Sequence, residues 1–86
     1  MLVGVIHLPA LPGSPRSELT ASVCAESAAK DAAVLAAAGY DAIIVENFGD
    51  APFYAGRVPP ITIAAMTACA LAVRAAAPET KLGINV

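Results

Sequence analysis

The 86-residue chain lacks the features that mark several common classes of protein. Five Lys and Arg residues against seven Asp and Glu give a net charge of −2 with no basic stripe, so the electrostatic requirement for nucleic-acid binding is missing. Polar residues interrupt every apolar run before the roughly 18 consecutive apolar residues that a membrane-spanning helix needs. Residues 1–7 have no basic n-region and run straight into prolines, unlike a signal peptide. We therefore expect a cytoplasmic protein.

Cysteine and histidine are also scarce. Cys24 and Cys69 are far apart, lie in alanine-rich stretches and belong to no CxxC or Cys/His cluster, so we interpret them as buried free thiols in a reducing compartment. A metal site needs three or four ligands in the right geometry, and His7 is the one histidine of the chain. We therefore expect neither a metal site nor a cofactor.

What is present is an alternation of strand-like and helix-like segments. Short apolar runs at about residues 2–7, 42–46 and 81–86 predict strands buried on both faces, and alanine-rich stretches at about 20–38 and 60–77 predict helices. Ser17 and Thr20 are candidate N-caps, Gly39 suits the position after a helix where φ is positive, and Pro60 suits a first helical turn. Each helix is long enough for a crossover between parallel strands, which gives β-α-β-α-β.

The spacing of apolar residues predicts which side of each helix is buried. The predicted buried positions of the first helix are Val23, Ser27, Ala28, Val34, Leu35 and Ala38. Those of the second helix are Ile63, Met66, Thr67, Ala70, Val73 and Ala77. Because an open three-stranded sheet would leave unpaired edges, we expect residues 1–86 to be an incomplete part of a longer α/β domain.

Polar residues fall at the carboxyl ends of the predicted strands, namely His7, Glu46 with Asn47, and Asn85. In parallel α/β folds these ends share the edge that carries the ligand site, so the side chains should converge. His7 is a candidate general acid or base, and Glu46 a candidate base or metal ligand. Asn47 and Asn85 are candidates to hold a substrate by hydrogen bonds.

The loops that follow the first two strands add further candidates. Asp50 and Arg57 lie on the second loop and could reach the same edge. Ser14 and Arg16, beside Gly13, could hold a phosphate through hydroxyl, guanidinium and backbone N–H groups.

Each candidate also has a purely structural interpretation. His7 could hydrogen-bond loop backbone, and Glu46 could be satisfied by loop N–H groups or by Arg57. Turn stabilisation would account for Asn47, Asp50, Asn85 and Ser14. The Gly13–Ser14 pair also lacks the glycine-rich pattern of a phosphate loop.

Four segments carry a resemblance to a known family. Residues 4–15 resemble the opening G-x-I-H-L-x-P-L-P-G-S-P motif of the BtpA family, with Ala10 where a proline is usual. Residues 41–53 resemble its D-G-I-I-V-E-N-F-G-D-x-P-F block, with Ala42 in the glycine position. Residues 62–67 and 82–86 are similar to its T-V-A-A-M-T and L-G-I/V-N-V segments.

The resemblance implies a fold and two alternative functions. It implies that the chain is the N-terminal β-α-β-α-β portion of a TIM (β/α)8 barrel. It implies a role in photosystem I biogenesis or stability in photosynthetic relatives, at the thylakoid membrane, through protein contacts on the outer helices. Because relatives also occur in non-photosynthetic organisms, the alternative is an enzyme acting on a small sugar-like or phosphorylated substrate at the carboxyl ends of the strands.

Overall fold

The computed structural model describes residues 1–9, 11–12, 20–46 and 60–85. Strands β1 (Val3–His7), β2 (Ala42–Glu46) and β3 (Lys81–Asn85) alternate with helices α1 (Ala21–Ala37) and α2 (Pro60–Ala76). The strands form a sheet of order β1-β2-β3, and both neighbouring pairs are parallel. The predicted β-α-β-α-β order and parallel sheet are confirmed, so the carboxyl ends of the described strands lie along one edge.

Local signals in the sequence set the helix ends. The Thr20 hydroxyl caps α1 by accepting a hydrogen bond from Val23 N at 3.2 Å, and α2 begins at Pro60. Gly39 follows α1 with φ of 89°, the left-handed conformation that favours glycine. Beyond α2, the Arg74 guanidinium donates to the carbonyl oxygen of Thr80 at 2.9 Å and so holds the turn into β3. Ser17, the other predicted N-cap, lies outside the described residues.

The sheet has a covered face and an open face. On the covered face, Ile6, Ile43 and Val45 are buried in one core with residues of both helices. On the open face, Val3 and Val5 are nearly half exposed. The prediction that the strands are buried on both faces is therefore wrong for the described residues, because α1 and α2 both pack on the same side of the sheet.

The two helices contact each other through small side chains. The residues buried in α1 are Cys24, Ala28 and Ala32, and those buried in α2 are Thr62, Ala65, Met66, Cys69, Ala70 and Val73. The predicted faces were partly wrong, because Val23, Val34 and Ile63 are 43%, 68% and 55% exposed. With alanine on every side of these helices, the apolar pattern is weak, and the packing of small side chains decides which face is buried.

Gly4 lets α1 approach the covered face of β1. A Cβ atom at Gly4 would lie 2.9 Å from Leu35 Cδ1 and 3.2 Å from Tyr40 Cδ2, closer than carbon atoms normally pack. Glycine at this position of the opening motif therefore makes room for the end of the first helix.

Cys24 and Cys69 are buried in the core as thiols and are not joined in a disulfide, as predicted. Burial away from water, together with the smaller effect of the nearby Cys24 thiol, raises the pKa of the Cys69 thiol to about 11. Both thiols therefore behave as small apolar side chains of the core.

Candidate functional site at the carboxyl ends of the strands

His7, Glu46 and Asn85 form a row across the open face, where the strands end. The register pairs His7 with Glu46 and Glu46 with Asn85. His7 Nε2 lies 3.2 Å from Glu46 Oε1. Asn85 Nδ2 donates a hydrogen bond to Glu46 Oε2 at 2.8 Å. The Glu46 carboxylate is thus held between an imidazole on one strand and an amide on another.

The row follows from the regular spacing of the βα units. Val3 pairs with Ala42, and Ala42 pairs with Lys81, so the register advances by the same number of residues from each strand to the next. Because side chains alternate along a strand, the last residue of each strand lies on the same face as the first. The sequence therefore brings together the polar residue that ends each apolar run.

The row is accessible without being fully solvated. The His7 side chain is 56% exposed, whereas that of Glu46 is 26% exposed. A small molecule lying on the open face would meet the imidazole first, with the carboxylate behind it. A carboxylate beside an imidazole orients the ring, which is the arrangement that general acid–base catalysis uses.

Of the predicted site residues, the structure brings together His7, Glu46 and Asn85. Asn47, Asp50, Ser14, Arg16 and Arg57 lie outside the described residues. Among the residues that are described, there is no group of three His, Cys, Asp or Glu side chains able to hold a metal ion.

The structure adds Thr62, a residue that sequence reasoning assigned only to a helix start. Its side chain is buried, and its hydroxyl donates to the Pro12 carbonyl oxygen at 3.0 Å. Leu8 N in turn donates to Glu46 O at 3.0 Å. The stretch after β1 is thereby attached both to the end of β2 and to the start of α2. The signal was a threonine at an otherwise apolar helical position.

The opposite edge of the sheet carries a cleft of about 530 Å³, whose lining includes Tyr40, Asp41, Glu79 and Lys81. There Asp41 holds the start of β1, because its Oδ2 atom accepts from Leu2 N at 2.8 Å. The backbone of Asp41 also accepts from Lys81 N at 3.1 Å. These contacts join turns to strands, so we place the candidate site at the carboxyl ends, where α/β folds bind ligands.

The sequence profile of the BtpA family matches residues 1–86. The chain belongs to the BtpA family. No solved structure matches it. No helix in the described part of this BtpA-family chain is long and apolar enough to cross a membrane.

Relatives of this BtpA-family chain occur in bacteria, archaea and animals. The photosystem I biogenesis protein BtpA of Synechocystis is 52% identical over 68 residues, which cover 77% of this chain and 23% of that protein. An uncharacterised protein of Pyrococcus furiosus is 46% identical over 84 residues, 98% of this chain and 31% of that protein. An uncharacterised mitochondrial protein of Caenorhabditis elegans is 38% identical over 66 residues, 77% of this chain and 24% of that protein. The chain thus spans about a third or less of these relatives.

Proposed function

We propose that this protein is part of a TIM (β/α)8 barrel that acts on a small sugar-like or phosphorylated molecule, with His7 and Glu46 as its acid–base pair. Parallel strands with helices on one side are the arrangement of barrel units, whose other side lines the interior. The Pyrococcus furiosus relative is long enough to supply further units, since the chain covers 31% of it.

The contact between His7 and Glu46 carries this proposal. An imidazole 3.2 Å from a carboxylate can pass a proton to or from a bound hydroxyl group, which contributes about 10²- to 10⁴-fold to a reaction rate. Asn47, Asp50, Asn85, Ser14 and Arg16 remain our candidates for holding the substrate. Ser14 and Arg16 follow Pro12 closely in the sequence, and the Pro12 carbonyl oxygen accepts a hydrogen bond from the Thr62 hydroxyl of α2.

The test uses the protein at its natural length, screened for binding and turnover of sugars, sugar phosphates and nucleosides. We expect His7→Gln and Glu46→Gln each to lower turnover of the bound compound by about 10²- to 10⁴-fold, because each removes a proton-transfer partner. Lys81→Gln is the control, since Lys81 lies on the same face at the opposite end of β3. A screen without any ligand, or turnover that both site variants leave unchanged, would refute the proposal.

A role in photosystem I biogenesis is a second candidate, favoured by the similarity to the photosystem I biogenesis protein BtpA of Synechocystis. Exposed apolar side chains on the helices, among them Val34, Ile63 and Leu71, suit contacts with a protein partner. This role requires the outer helices and not the acid–base pair. In a cyanobacterium lacking its own BtpA, the His7→Gln variant would then support photosystem I accumulation as well as the unmodified protein does, whereas an enzymatic role predicts a loss.

A further inference from the structure

We propose that Asn85 is a positioning residue that acts on His7 through Glu46, and that it fixes which imidazole nitrogen carries the proton. The catalytic meaning of this inference rests on the proposed function. The tautomer itself can be observed without any substrate. The prediction from sequence was that Asn85 holds a substrate, whereas the structure points its amide donor at Glu46.

The geometry of Glu46 carries the proposal. Its two carboxylate oxygens serve different neighbours, with Oε1 lying 3.2 Å from His7 Nε2 and Oε2 accepting from Asn85 Nδ2 at 2.8 Å. Turning the carboxylate plane away from Asn85 would also move Oε1 out of line with the imidazole. The amide on β3 therefore controls the direction in which the carboxylate on β2 faces the imidazole on β1.

The hydrogen-bonding properties of the carboxylate and the imidazole explain how this geometry selects a tautomer of His7. A neutral imidazole carries one N–H and one lone pair on its two nitrogens, and an ionised carboxylate can only accept hydrogen bonds. A carboxylate held against Nε2 therefore favours the hydrogen on Nε2 and leaves the lone pair on Nδ1. Such a partner commonly decides which histidine nitrogen takes part in proton transfer. We thus assign Glu46 as the group that orients the His7 imidazole and Asn85 as the anchor of Glu46.

The exposure of Asn85 makes it a suitable position to test. Asn85 is exposed at the end of β3, so replacing its side chain opens no cavity in the core. Asn85→Leu keeps a similar size and removes the amide donor. Asn85→Asp keeps the shape and replaces the donor with a second acceptor, which repels the Glu46 carboxylate.

The experiment is nitrogen-15 NMR of the imidazole groups of the protein at its natural length, at about pH 8.5, where an ordinary imidazole is neutral. The His7 signals are assigned by their loss in His7→Gln. We expect the ratio of the Nε2–H to the Nδ1–H form to fall at least about threefold in Asn85→Leu and in Asn85→Asp, because one hydrogen bond that orients Glu46 is lost. Lys81→Leu, at the other end of the same strand, should leave the ratio unchanged.

The outcomes separate this inference from the proposed function. An unchanged tautomer ratio in either folded Asn85 variant overturns the positioning role. If that variant also loses ligand binding while the ratio stays unchanged, Asn85 contacts the substrate instead. If Asn85→Leu does not fold, Asn85→Asp decides. A changed ratio in a protein that turns over no compound supports the positioning role and counts against the enzymatic proposal alone.

Discussion

The covered and open faces of the sheet are built from the same strands, yet they differ in what their residues contact. On the covered face, each apolar side chain of β1 and β2 is packed against helices, as Ile43 is, with 1% of its surface exposed. On the open face, apolar side chains such as Val5 lie below a row of polar groups at the carboxyl ends. The covered face therefore stabilises the fold, and the open face presents chemical groups.

The residue types on the open face of the sheet also indicate whether this face is directed at solvent or at other side chains. Val3, Val5 and Ile44 are branched apolar residues, which a solvent-facing side of a sheet would normally replace with polar ones. Branched side chains below a polar rim are the pattern of a barrel interior, where inward-facing layers fill the centre and the carboxyl ends carry the ligand site. This difference between the two faces favours the barrel proposal over an open sheet.

The largest effect that we predict tests whether the two faces are equally buried in the protein at its natural length. Ile43→Ala and Ile44→Ala remove the same atoms from neighbouring residues that point to opposite faces. Ile43→Ala should lower the free energy of unfolding by about 2–5 kcal/mol, the usual cost of removing a core isoleucine. If a barrel closes over the open face, Ile44→Ala should cost a similar amount, as measured by urea denaturation.

An open sheet predicts a different result for the same pair. Ile44 would then remain partly exposed, as it is in the described residues, and Ile44→Ala would cost less than about 1 kcal/mol. That outcome would contradict the barrel. A small cost for Ile43→Ala would instead contradict the core.

The next effect is smaller, and it compares how much space each face of the sheet leaves for an added methyl group. Gly4→Ala places a Cβ atom 2.9 Å from Leu35 Cδ1 on the covered face. Gly83→Ala is its matched control on the open face, because within the described part of the chain a Cβ atom there meets only Ile44 Cγ1, at 3.4 Å. Overpacking costs about 1–3 kcal/mol, whereas replacing a strand glycine by alanine otherwise gains about 0.5–1 kcal/mol. Thermal denaturation should therefore find Gly4→Ala the less stable variant by at least about 1 kcal/mol, and equal stabilities would show that Leu35 moves aside freely.

The sequence predicted those parts of the structure that depend on local chemistry. Helix ends followed from Thr20, Gly39 and Pro60, because capping and backbone conformation involve neighbouring residues only. The buried helix faces did not follow, because alanine-rich helices pack through positions such as Ala32 that differ little from their neighbours in hydrophobicity. The buried faces of the helices are decided by long-range packing, which the periodicity of the sequence does not reveal.

The sequence likewise predicted some features of the candidate site and missed others. His7, Glu46 and Asn85 could be placed at one edge from the parallel order alone. The hydrogen bond from Asn85 to Glu46 depends on strand register, and the apolar pattern of the sequence does not reveal that register. The contact of Thr62 with Pro12 joins residues fifty positions apart, so a threonine at an otherwise apolar helical position could mark Thr62 as unusual but could not identify its partner.

The smallest predicted effect concerns the thiols beneath the covered face. Burial raises the pKa of Cys69 from 9.0 to about 11, so its thiol stays protonated in the folded protein at pH 8. Because the thiolate is the nucleophile, iodoacetamide should label the native protein at least about tenfold more slowly than the urea-unfolded chain. Mass spectrometry of the labelled protein would measure both rates.

The same pKa difference sets a dependence of stability on pH. Above pH 9.0 the unfolded chain releases the Cys69 proton, while the folded protein keeps it until about pH 11, so this contribution to stability is complete below pH 9.0 and is lost as pH rises toward 11. Cys69→Ala removes the titrating group and should flatten that part of the decline. Rapid labelling of the native protein at pH 8 would mean that water reaches the layer between the helices and the sheet. An unchanged decline of stability with pH in Cys69→Ala would mean the same. The two faces would then differ in burial less than the packing suggests.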